Sequence, residues 1–279
     1  MSPRWVVEED VFDEQNFEAL LKEIVAQGME YCRISRGRTM RYDFWKNRCV
    51  LCYGSVSMVK FVSTVENGWL PKSFLITDNL RCSSYGPFWG PTLLNDQAVY
   101  TTCADLRRNK DFFFSKVASP LGLFVRPDSC LKPFSGIVLD NSQFDSEIDY
   151  LEYAVREGLV LVGPAKAIEA EWRFVVAKRK VIAGSRYILE GKVSLSRDVE
   201  PGALVMAQTI GYHDWQPDVV YILDIAKSKG EYRVIEPNSF SSADFYECDK
   251  KPIVEVAKNL CREEWEMGYG MQGGDADAG

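Results

Sequence analysis

A chain of 279 residues with 46% apolar and 26% charged side chains can build one large or two ordinary domains with a proper core. Its net charge of −7 argues against broad non-specific nucleic-acid binding, which needs many Lys and Arg. No apolar run reaches the ~18–20 residues that span a bilayer, and the opening MSPRWVVEEDVF lacks the apolar core of a secretory signal.

The eight cysteines are scattered, which fits reduced thiols and a cytoplasmic location. Cys49 and Cys52 form one C-x-x-C, but zinc sites usually add a second ligand pair, and His213 is the chain's one histidine. The pair lies in an apolar run, so it reads as structural thiols.

In chain order, residues 5–7 begin a strand and 10–13 form a turn with helix-capping residues. Residues 16–29 show helical spacing, with Phe17, Leu20, Leu21, Ile24 and Val25 on one face. The basic stretch 33–41 reads as a solvated loop, with contact to a phosphate as the alternative. Residues 49–53 form a buried strand that runs through Gly54-Ser55 into a helix over 58–64, an α/β signature. Residues 74–76 read as a strand and 85–91 (YGPFWGP) as a loop, and a Thr or Asn within 92–103 caps the next helix. This first third reads as a small α/β domain.

Residues 110–116 are an apolar patch between charges, and 121–125 form a strand that delivers Arg126 into a Pro-containing loop. Lys132 follows, and Ser135-Gly136 turns into a strand over 137–139. Two cations and a Gly turn between adjacent strands fit a phosphate clamp or an ordinary hairpin with surface charges. The Walker pattern G-x-x-x-x-G-K-[ST] is absent. A helical pattern over 144–157 precedes an apolar strand, 159–162. Along 169–176, Glu171 and Arg173 share one strand face and Trp172 takes the other. The basic turn 178–180 leads to a strand over 181–187 that brings in Arg186, and 203–209 reads as helix. A C-terminal helix spans 251–265, and the Gly- and Asp-rich tail, 267–279, reads as disordered.

Residues 219–226 and 231–240 read as a β-hairpin. Glu236 and Asn238 are two apart and share a face. A three-residue loop, 227–229, with Gly230 in a bulge would set Asp224 opposite Tyr232 on that same face; a four-residue loop would turn it away. Two carboxylates and an amide oxygen on one face form a hard-oxygen set that suits Mg²⁺, or else an ordinary solvated sheet face.

The order of these motifs resembles the ATP-grasp superfamily of carboxylate–amine ligases. The matching stretches are RPDSCLKPFSG (126–136), EWRFVV (171–176) and DIAKSKGEYRVIEPN (224–238), together with Tyr53-Gly54-Ser55. More narrowly the chain is similar to a divergent clade from phages and bacterial operons. The resemblance implies an α/β pre-domain over 1–93 and an ATP-grasp domain over 94–266. The latter is an α+β fold of two subdomains with antiparallel sheets, of which about 121–162 covers the nucleotide. It implies ATP and one or two Mg²⁺ ions. Arg126 stands where the family has a nucleotide-contacting Lys. Lys132 with Ser135-Gly136 matches the phosphate-covering loop, Leu161, Val162 and Gly163 the adenine hinge, and Glu171 the ribose ligand. Arg173 would touch phosphate or substrate, and Arg186 would stabilise charge on the transferred group. Asp224, Glu236 and Asn238 match the metal ligands.

The implied chemistry activates a carboxylate as an acyl phosphate, releases ADP and joins the acyl group to an amine, on an amino acid or peptide by analogy. A kinase on the same fold and a non-catalytic nucleotide-binding protein are the alternatives. Nucleic-acid work by the patches 33–41 and 178–180 is a third, which the acidic charge disfavours. Substrate selection would fall to 53–57, 85–89 and 212–215, with His213 either a packing residue or a general base.

Overall fold

The computed structural model describes residues 2–36, 48–64 and 73–273. Three parallel strands, β1 (Arg4–Glu8), β2 (Glu30–Ile34) and β3 (Val50–Tyr53), pair in the order β2-β1-β3. Helix α1 (Glu14–Ala26) makes the crossover, and the Asp13 carboxylate caps it by accepting from Asn16 N at 3.0 Å. Phe17, Leu20, Leu21 and Ile24 are buried. Val25 is 58% exposed, because its neighbour Ile24 takes the inward direction and a step of ~100° turns Val25 out. Arg33 and Ile34 belong to β2 rather than a loop, and residues 37–41 of that basic stretch lie outside the described residues. Helix α2 (Val56–Thr64) follows β3.

Two expectations fail here for one reason, which is that distant side chains satisfy the backbone. Residues 74–76 are not a strand. Phe74 is buried, but its N–H donates to Ser241 Oγ (3.0 Å) and its carbonyl accepts from Ser239 Oγ (2.8 Å), replacing a ladder. The expected loop at 85–91 is mostly helix α3 (Cys82–Trp89). The Asp128 carboxylate accepts from Ser83 N (2.7 Å) and Ser83 Oγ (3.0 Å), and the Asp128 carbonyl accepts from Cys82 N (3.1 Å). A residue 45 positions away therefore caps the helix. Cys82, Tyr85 and Trp89 form its buried face.

The second sheet is antiparallel, order β4-β7-β5-β6, from β4 (Val99–Thr102), β5 (Leu123–Pro127), β6 (Ile137–Leu139) and β7 (Leu159–Pro164). Helices α4 (Cys103–Arg108, capped by Thr102), α5 (Lys110–Lys116) and α6 (Phe144–Val155) cover the face that carries Leu123, Val125, Val160 and Val162. The apolar patch at 110–116 is thus a helix with Phe113 inward. Strand alternation leaves Phe124, Arg126 and Leu161 on the other face.

The third sheet, also antiparallel, runs β10-β9-β8-β11-β12. Its strands are β8 (Ala170–Ala177), β9 (Lys180–Leu189), β10 (Lys192–Ser196), β11 (Val220–Ser228) and β12 (Glu231–Ser239). Trp172, Phe174, Leu223 and Ile225 pack on Ala203, Ala207 and Ile210 of α7 (Pro201–Tyr212). Val175, Val220 and Ile222, on the opposite face, share a core with the first sheet and with α8 (Lys250–Gly273). Helix α8 runs to Gly273, into the stretch expected to be disordered; residues 274–279 lie outside the described residues.

The β11–β12 hairpin turns on two residues, Lys229 and Gly230, with φ 51° and 76°, rather than on a three-residue loop. Ser228 pairs with Glu231, Lys227 with Tyr232 and Ile225 with Val234. A bulge there leaves Ile235 extra and sets Asp224 opposite Glu236, not Tyr232. The shared face of Asp224, Glu236 and Asn238 therefore stands, through a bulge at a different place.

Before β11, burial pushes the Asp218 carboxyl up to about 7, opposed by the Val219 N–H and assisted by Glu264. A carboxyl raised in the folded state costs stability as pH climbs from its unfolded value, ~3.9, through the folded one. Asp218→Asn keeps the oxygen that accepts from Val219 N. It should raise Tm at pH 8 and leave it unchanged at pH 3.5; an equal gain at both pH values would refute the ionisation account.

Candidate active site

The bulged hairpin and β8 bring their polar residues to one end of the third sheet. Arg173 on β8 pairs in register with Asp224, which pairs with Glu236 across β11 and β12. Arg173 forms a fork on Asp224, Nε to Oδ1 at 2.9 Å and Nη2 to Oδ2 at 2.8 Å. Asn238 Nδ2 donates to Asp224 Oδ2 at 3.0 Å. Lys132 arrives from the loop between β5 and β6 and donates to Glu236 Oε1 (2.7 Å) and Asn238 Oδ1 (2.9 Å). Arg126, at the end of β5, donates to Glu236 Oε2. The two antiparallel sheets thus meet through one chain of contacts, Arg173–Asp224–Asn238–Lys132–Glu236–Arg126.

Burial works against these charges, and pairing overrides it. Asp224 is 2% and Arg126 6% exposed. Burial opposes ionisation of Glu236, but the Arg126 guanidinium and Lys132 ammonium hold its carboxyl well below the usual range. Burial likewise opposes the charge on Arg173, and Asp224 outweighs it. Arg126, Lys132 and Arg173 gather here against Asp224 and Glu236, with Glu171 a third carboxylate on the same face.

Arg173 is held from two further sides. Nη1 donates to the Asp244 carbonyl (2.9 Å), and the guanidinium carbon lies 5.4 Å and 4.6 Å from the ring centres of Tyr187 and Tyr246, which stack on each other. Tyr187 OH donates to Glu171, placing Glu171 on the same face. Burial raises the Glu171 carboxyl; the Tyr187 bond opposes this, and the charges of Asp224 and Glu236 add to it. The sequence reading missed Tyr187, Tyr246 and Asp128. Asp128 had a signal, since it completes the Arg-Pro-Asp run.

Ser135 and Gly136 are exposed in the β5–β6 connection, and a Cβ on Gly136 would come within 2.8 Å of the Phe124 ring. Leu161 and Val162 sit within β7, between β4 and β5, so both neighbours occupy their backbone groups. The backbone that crosses between the two sheets is 165–169. Arg186 departs from its expected place. A bulge between Glu171 and Trp172 pairs it with Trp172, on the α7 face. There it donates to Ser194 Oγ (3.4 Å), away from the cluster. His213 closes α7 on that same side and accepts from Trp215 N at 3.1 Å. Cys49 and Cys52 join different cores and face opposite ways, so they do not form a two-thiol clamp.

Among the described residues no three His, Cys, Asp or Glu side chains gather in a metal-binding group, so the oxygen set here is two carboxylates and an amide. That set fits Mg²⁺ chemically. A carboxylate offers about four lone-pair positions, and Glu236 uses one on each oxygen.

Two antiparallel sheets meeting over clustered cations and carboxylates define an ATP-grasp architecture. Residues 101–256, more than half of the chain, match the model of an ATP-grasp domain, the second family of its clade, and the chain belongs to that family. No curated protein matches it in sequence. D-cycloserine synthetase DcsG superposes with a TM-score of 0.61 at 12% identity, covering 92% of this chain and 99% of that one. The ATP-grasp ligase PsnB, complexed with a minimal precursor, gives 0.58 at 14% identity, covering 94% and 100%. D-alanine–D-alanine ligase from Bacillus anthracis gives 0.56 at 12%, covering 95% and 99%. At these identities the likeness concerns the fold. No helix among the described residues is long and apolar enough to cross a membrane.

Proposed function

We propose that the protein is an ATP-dependent ligase that activates a carboxylate as an acyl phosphate and joins it to an amine. The observation that carries this reading is the contact of Arg126 and Lys132, from one sheet, with Glu236 and Asn238 on the other. Residues 1–93 would serve as the pre-domain and 94–266 as the catalytic unit, with 121–162 covering the nucleotide. Arg126 and Lys132 would bind the ATP phosphates, assisted by the turn at Ser135-Gly136. The adenine contact would fall at Gly163 and the residues after it, beyond the pairing of Leu161 and Val162 with β4, and Glu171 would meet the ribose. Asp224, Glu236 and Asn238 would hold Mg²⁺, which when bound neutralises phosphate charge. Arg173, on the cluster's face, would stabilise the transferred group in place of Arg186, which lies on the α7 face.

In the first step a carboxylate oxygen attacks the γ-phosphorus, the bond to the β–γ bridging oxygen breaks and ADP leaves. In the second the amine attacks the acyl carbon, the C–O bond breaks, phosphate leaves with that oxygen, and the amine proton passes to solvent. The covering loop must exclude water from the acyl phosphate between these steps. Partners are therefore carboxylate and amine substrates. PsnB has been captured with a precursor peptide and AMPPNP, which favours a peptide or amino acid here.

The test is ADP release from Mg·ATP against pooled amino acids and peptides, with mass spectrometry of the pool. A ligase yields a product lighter by one water than its two parents. A phosphorylated product without an amide would instead establish a kinase. Asn238→Ala should raise the Mg²⁺ concentration at half-maximal rate by roughly 10–100-fold; an unchanged Mg²⁺ dependence would remove Asn238 from the metal set.

A further inference from the structure

Beside the cluster, and sharing Lys132 and Asn238 with it, lies a further space. A slot of about 90 Å³ is lined by Val56, Leu75, Leu80 and Cys130 together with Lys132, Asn238, Ser239 and Ser242. Leu75 and Leu80 are buried against Val59 of α2, with Cys130 packed beside them. At Val56 the slot adjoins an open groove of about 450 Å³, walled by Phe61 of α2 and by Leu131. Those walls are 43% and 39% exposed, and Lys60 is the one charge among the groove's described lining residues.

Resting on the ligase reading, we propose that slot and groove bind the C-terminal end of a short peptide as the carboxylate substrate, with a small aliphatic terminal side chain in the slot. Three observations carry this. First, Lys132 lines the slot and pairs with Glu236, so a carboxylate held there can meet an ammonium of the phosphate-binding cluster. Second, volume sets an upper size. A cavity of ~150 Å³ lined by aliphatic side chains admits benzene, so 90 Å³ excludes aromatic rings and suits a methyl or isopropyl group. The lining carries no carboxylate, so it offers a cationic side chain no counter-charge. Third, the groove falls within the ~300–1,000 Å³ of ligand sites and exceeds the needs of one amino acid. Lys60 favours an acidic residue upstream of the terminus.

The probes are tripeptides Ala-Glu-X with X as Ala, Val, Phe or Lys. Hydroxylamine traps the acyl phosphate as a hydroxamate, so the natural amine need not be known. Peptide binding is also measured by calorimetry with Mg·ADP present, without turnover. Ala and Val should exceed Phe and Lys by ~10-fold or more in kcat/KM and in affinity. Leu80→Ala should shift preference toward the larger side chain. Cys130→Leu, at a half-buried position, should fill the slot and remove peptide binding while Mg·ATP still binds. Equal use of all four peptides, or an unmoved preference in Leu80→Ala, would overturn the proposal. Selective peptide binding without hydroxamate would preserve the slot and defeat the ligase reading. Hydroxamate formed only from non-peptide carboxylates would do the reverse.

Discussion

Glu236→Gln should lower ADP release by ~10²-fold or more. The carboxylate is the meeting point of Arg126 and Lys132, and Gln supplies one neutral oxygen in place of two charged ones. The same change should destabilise the chain, because Arg126 remains buried with no counter-charge. Breaking such a pair costs about 3–5 kcal/mol, and Gln retains part of the hydrogen bonding. The acid limb carries the sign. The Glu236 carboxyl is depressed in the fold, so its stabilisation is complete above the unfolded value, ~4.3, and fades as pH falls toward the folded one. The Tm gap between wild type and variant should therefore be widest above pH ~5 and narrow below pH ~4. A constant gap from pH 7 to pH 3 would contradict the pairing.

Arg173→Met should be at least as damaging, and it separates stability from activity. Asp224 would remain 2% exposed with its two-pronged partner gone, a loss of about 3–5 kcal/mol. At ~2–4 °C per kcal/mol in a chain of this size, Tm should fall by roughly 6–20 °C. Arg173→Lys should rescue little, since one ammonium reproduces neither the fork nor the contact of a planar guanidinium with the stacked Tyr187 and Tyr246 rings. The double variant Arg173→Met/Asp224→Leu removes both charges. It should recover much of the lost Tm, as apolar replacements of buried pairs often do, while remaining inactive. Recovery of activity with stability would assign the pair to structure alone.

The hairpin shows what a sequence can and cannot carry. The two-residue spacing of Glu236 and Asn238 is local, so their common face was legible. Asp224 joined them by way of a bulge whose position depends on pairing across β11 and β12, and the expected loop and register were wrong although the face was right. Arg186 went the other way. A bulge between Glu171 and Trp172 turned it to α7 and set its neighbour Tyr187 beside Arg173. The helix at Cys82–Trp89 was hidden behind its Gly and Pro because its cap, Asp128, comes from another part of the chain. The buried segment around Phe74 looked like a strand because side-chain partners on Ser239 and Ser241 leave no trace in local periodicity. Period and the cation-bearing loop are local properties; bulges and borrowed caps are tertiary ones.

The most direct test of the central claim follows the oxygen. Once a carboxylate substrate is found, it is supplied with both oxygens as ¹⁸O, together with Mg·ATP and amine, and the released phosphate is analysed by mass spectrometry. Passage through an acyl phosphate places one ¹⁸O in each phosphate and leaves the other in the amide. Unlabelled phosphate would mean that water, not the carboxylate, attacks ATP, and the ligase account would fall.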